Sequence, residues 1–145
     1  MARGENPGVL LSIDSALTYD KDEPFGHANA GKDLVLMFVT SGGNAGKANL
    51  GTAGQRILGK FVELHQDGTA SYMPSASPMI LRKEAATIEP GQKVICGASG
   101  KVKAPAAVDA TTPTKAQIDE NDNGRGIVLQ VLETGDNGRI LVHMP

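Results

Sequence analysis

Hydrophobic residues in this chain fall in short runs, and glycine, proline or asparagine separates one run from the next. Such runs predict strands, since a strand needs only a few residues whereas an amphipathic helix needs a longer 3.6-residue pattern. Strands are predicted at residues 9–13, 34–40, 56–64, 70–73, 79–82, 126–133 and 138–142, with still shorter extended pieces between 88 and 105. Gly91 and Gly100 mark turns among those short pieces. The last two runs flank Gly135-Asp136-Asn137-Gly138. Asn137 and Gly138 there predict a tight type I′ hairpin, because both tolerate the positive φ such a turn requires. Helical text is confined to residues 114–120, about two turns behind Pro113. The predicted fold class is mostly β, a small, tightly coiled body of short strands.

The pattern divides the chain into three parts. Residues 1–33 are polar, contain Pro7 and Pro24, and hold one apolar run, Val9-Leu10-Leu11-Ser12-Ile13. They predict an N-terminal arm ordered by whatever it lies against. Residues 34–55 join a continuous apolar strand to a glycine- and asparagine-rich stretch that predicts a flexible loop. Residues 56–145 form the body. A chain of 145 residues suits one domain, with roughly two-thirds of its unfolded surface buried.

Composition narrows the chemistry. Aromatics are 3 % of the chain and Trp is absent, so the core is built from Val, Ile, Leu, Ala and Met, and stacking platforms for bases or sugars are few. Fourteen Lys and Arg face sixteen Asp and Glu. The arm carries three basic and six acidic groups, and residues 56–145 carry ten of each. No basic face is supplied, so nucleic acid is not an expected partner. No apolar run reaches the ~18 residues of a membrane span, and no signal-peptide stretch opens the chain; it is expected to be made in the cytoplasm. The single Cys96, beside Val94 and Ile95, reads as a plain buried thiol in a reducing compartment.

Motifs that suggest sites fail on inspection. Residues 42–48 imitate a phosphate loop, but Ala48 stands where a hydroxyl should reach magnesium. Residues 119–124 alternate oxygen side chains before Gly124, like the first half of a calcium loop, yet the twelfth position is Gln130; a solvated Asx-rich turn is the expectation. His27, His65 and His143 are widely separated and show no zinc spacing. No catalytic residue, metal ligand or cofactor is predicted, and the chain is read as a non-enzyme.

The order of residues 57–62 (Ile-Leu-Gly-Lys-Phe-Val), 88–94 (Ile-Glu-Pro-Gly-Gln-Lys-Val), 100–105 (Gly-Lys-Val-Lys-Ala-Pro) and 126–133 (Gly-Ile-Val-Leu-Gln-Val-Leu-Glu), before 138–142 (Gly-Arg-Ile-Leu-Val), resembles the small capsid decoration, or cement, proteins of tailed double-stranded DNA bacteriophages. The likeness covers residues 56–145. It implies a β-tulip-like barrel or sandwich, a homotrimer, and attachment to the major capsid protein on the outside of an icosahedral head, at three-fold and quasi-three-fold positions. The virion surface is then the expected location. Within that reading Val9, Leu10, Leu11, Ser12 and Ile13 are the expected capsid-binding strand, added to an edge of the shell protein. Two other readings stand beside it. One is a biotinyl- or lipoyl-like carrier module modified at Lys101, and the other is an accessory domain of a phage tail or baseplate.

Overall fold

The computed structural model describes residues 9–13, 17–84 and 87–145. Among them the fold is mostly β, with one short helix. A five-stranded antiparallel sheet runs in the order β1 (Val9–Ser12), β5 (Thr69–Met73), β4 (Ile57–Leu64), β2 (Val35–Phe38), β3 (Ala48–Leu50). A three-stranded antiparallel sheet places β10 (Arg139–Met144) between β6 (Ala76–Arg82) and β9 (Ile127–Val131). A two-stranded ribbon joins β7 (Ile95–Cys96) to β8 (Val102–Lys103). One parallel bridge between Ile13 and Ala48 draws the two edges of the larger sheet together at one end, so the sheet curls; it does not close into a barrel.

Two apolar clusters explain why these runs are strands. Leu36, Ala48, Phe61, Leu64, Ala70 and Tyr72 fill the hollow of the curled sheet, joined by Leu17 and Ala30. Val35, Ile57, Met79, Leu81, Val94, Val102, Val128, Ile140 and Val142 pack the larger sheet against the smaller one and the ribbon. Adjacent residues Val35 and Leu36 belong to different clusters and are both fully buried. Strand β2 is therefore covered on both faces, which is why residues 34–40 read as an unbroken apolar run instead of an alternating one.

Several local expectations change. Residues 41–55, expected to be a flexible loop, contain β3, which pairs with β2 and buries Ala48 completely. A side chain as small as alanine gives no hydrophobic signal in sequence but fits under a neighbouring strand. The described part of residues 1–33 lies against its own chain. β1 pairs with β5 in the register Leu10 to Ser71, and Leu17 and Ala30 sit in the core of the curled sheet. The calcium-like residues 119–123 are helical rather than a turn, because Thr114 and Gln117 form a capping box that starts α1 (Lys115–Asn123). Finally, the β9–β10 hairpin forms, but without a type I′ turn at Asn137 and Gly138. Asn137 takes φ +64° and Gly138 does not turn positive. The Gly138 N–H instead donates to the Gly135 carbonyl, closing a turn one step earlier, while the Asn137 N–H donates to the Lys83 carbonyl.

Candidate functional site

β1 is an edge strand. It pairs with β5 on one side, and among the described residues its other side meets another strand only at the Ile13 bridge to Ala48. Leu10, paired with Ser71, is 53 % exposed, Leu11 and Ile13 pack on the cluster inside the curled sheet, and Ser12 is exposed. Of Val9 the backbone pairing with Tyr72 is established. An edge of this kind retains unpaired main-chain groups along its outer side, the chemical requirement for accepting another strand.

A second uncovered surface is the outer face of the three-stranded sheet. Side chains alternate along a strand, so burial of Met79, Leu81, Ile140 and Val142 turns Ile80, Leu141 and His143 outward. Ile80 and Leu141 are cross-strand partners, and His143 lies opposite Ile127. A register shift in β9 leaves Leu129 outside the paired positions, and Ile127 and Leu129 are each 48 % exposed. The result is an outward apolar patch at Ile80, Leu141, Ile127 and Leu129, interrupted by Gln130 opposite Leu141 and by His143 opposite Ile127. His143 Nδ1 lies 2.8 Å from Ser77 Oγ at its border.

The remaining turn residues are structural. Gly91 takes φ +91°, and its N–H donates to the Val128 carbonyl, tying the turn to the outer side of β9. Gly100, at φ +78° in the 3-10 turn Ala98–Gly100, is buried where a Cβ would strike Leu50. Lys101 follows that turn instead of standing at its tip. Its Nζ lies 3.0 Å from Asp136 Oδ1, and it borders a shallow depression with Lys32, Arg82 and Asn137. A lysine that must receive a prosthetic group has to protrude, and this one is held against the β9–β10 turn.

One constellation escaped the sequence reading. His65 Nε2 lies 2.5 Å from Ser71 Oγ, and His65 Nδ1 lies 3.8 Å from Glu63 Oε2, the order of nucleophile, base and acid. Ser71 is 5 % exposed within β5, flanked by Leu10 on one strand and Glu63 on the other. That burial denies a substrate carbonyl the approach an attacking oxygen needs, so the trio acts as a cross-strand tie near the end of the hairpin. The signal for it was the hairpin register about Gly68, which places residue 63 opposite residue 71.

Cys96 is fully buried, and burial pushes its thiol up to about 12. No group of metal-ligating side chains is found among the described residues, and no helix among them is long and apolar enough to cross a membrane. Comparison of the chain with protein-family models and with curated proteins gives no match.

Proposed function

We propose that this chain is a capsid decoration protein of a tailed bacteriophage, a non-enzymatic trimer that joins major capsid protein subunits on the outside of the head. The observation that carries the reading is the outward apolar patch of Ile80, Leu141, Ile127 and Leu129, the first two half-buried and the last two each 48 % exposed, on a sheet whose opposite face already forms the core. A chain of this size gains little by leaving such a patch in water, and burying it between copies removes apolar surface at roughly 25 cal/mol per Å². The exposed edge of β1 supports a second contact, in which the shell protein adds a strand beside Leu10. Three such edges on one trimer would bind the shell multivalently, so release would be slow even if each contact were weak. The order of apolar and turn positions across residues 56–145 supports the family assignment.

The test is the mass of the purified protein by light scattering, followed by sedimentation with expanded heads that lack their decoration protein. A trimer that sediments with the heads is expected. A monomer that stays in the supernatant at saturating concentration overturns the proposal.

A further inference from the structure

A cleft of about 630 Å³ lies where β2 ends and β4 begins, lined by Phe38, Thr40, Arg56, Leu58, Asn123 and Arg125 among others. Its two arginines differ. Arg125 is occupied by main-chain oxygens: Nη1 donates to Ile57 and Leu58, and Nη2 donates to Pro74 and Pro145. Arg56 is exposed, and its only described partner is the Asp122 carbonyl, 2.9 Å from Nη2. A guanidinium carries five N–H donors in a planar fork, so most of those on Arg56 face solvent. Arg56 pairs with no carboxylate among the described residues. Both arginines line the same cleft, and burial together with the Arg56 charge holds the Arg125 pKa below its ordinary value.

Arg56 is therefore a cation with open donors and no described anion, and the wall beside it is apolar. Phe38 is 45 % exposed, and Leu58 is half-buried. The geometry points to a binding cleft for a carboxylate carried on an apolar group, the carboxylate forked onto Arg56 and the apolar part against Phe38 and Leu58. A single open guanidinium matches the one charge and two oxygens of a carboxylate, and such bidentate pairs are among the strongest hydrogen-bonded contacts. The carboxylate could belong to a chain end or to a small organic acid, both of which present the same chemistry.

Amide NMR titration at low salt, with the full chain, distinguishes these cases. N-acetyl-leucine is expected to give saturable shifts at Arg56, Ile57 and Leu58, and N-acetyl-leucinamide none. Arg56→Gln should weaken binding at least about tenfold while leaving the rest of the spectrum unchanged. A peptide ending in a free leucine carboxylate that binds more tightly than the single amino acid would assign the cleft to chain ends, and equal affinity would assign it to small acids. Absence of saturable shifts up to roughly 10 mM overturns the inference, as do equal shifts from the amide or unchanged binding by Arg56→Gln. Oligomeric state does not enter the readout, so the result is independent of capsid attachment.

Discussion

Arg125 shows how one side chain can organise a region that apolar packing alone does not define. It stands just before β9, yet its guanidinium reaches main-chain oxygens at the start of β4, after β5 and at Pro145. Replacing it with methionine keeps the stem and removes the fork, leaving part-buried carbonyls without donors. Arg125→Met is expected to lower stability by about 2–4 kcal/mol, read as a fall in the urea midpoint with an unchanged slope. Sequence could not have disclosed this role, because an arginine between two glycines looks like any solvated turn residue. Cys96 was legible for the opposite reason. Its apolar neighbours on a short strand left a thiol nowhere to go but inside, and burial alone raises its pKa.

At the level of elements, apolar runs located the strands well, and the failures share a cause. β3 is made of Ala48, Asn49 and Leu50, and the turn before β10 depends on contacts from elsewhere in the chain. Lys83, at the end of β6, holds that turn from three sides. Its N–H donates to the Gly138 carbonyl, its carbonyl accepts from Asn137, and its buried Nζ donates to Gly135 at 2.7 Å. Local Asn-Gly chemistry predicted one turn, and a tertiary anchor selected another. Carboxylates complete the arrangement. The Arg139 guanidinium bonded to Glu133 holds that carboxyl below its ordinary 4.5, and Lys101 does the same for Asp136, ordinarily 3.8. Depressed values mean that these contacts contribute above the ordinary pKa and are lost as pH falls through the lowered one. Side-chain carbon shifts should therefore give Glu133 a pKa below 4.5, returning toward it in Arg139→Gln. An unchanged titration in that variant would remove the contact from the account of the turn.

For the whole molecule, mostly β architecture was readable from the spacing of runs, whereas the uncovered surfaces were not. Ile127 and Leu129 lie in an apolar strand run, and only the packing of Val128 into the core shows that their side chains turn to the outer face of the sheet and meet solvent. The same placement makes self-association testable without harming the core. For the proposed trimer, Ile127→Lys with Leu129→Lys should leave the thermal transition close to that of the parent and reduce the mass in light scattering to that of one chain. A double variant that stays oligomeric would move the interface elsewhere. The curled sheet, meanwhile, makes removal of residues 1–33 costly, since Leu17 and Ala30 would leave the core with the arm.

β2, with Val35 committed to one cluster and Leu36 to the other, is a wall shared by two rooms. Neither room can be emptied while the other stays furnished, because the same four residues would have to be ordered and disordered at once. A protein built around such a party wall is expected to lose both clusters in one cooperative transition. Damage on either side is felt on both, and the molecule is kept whole or lost whole.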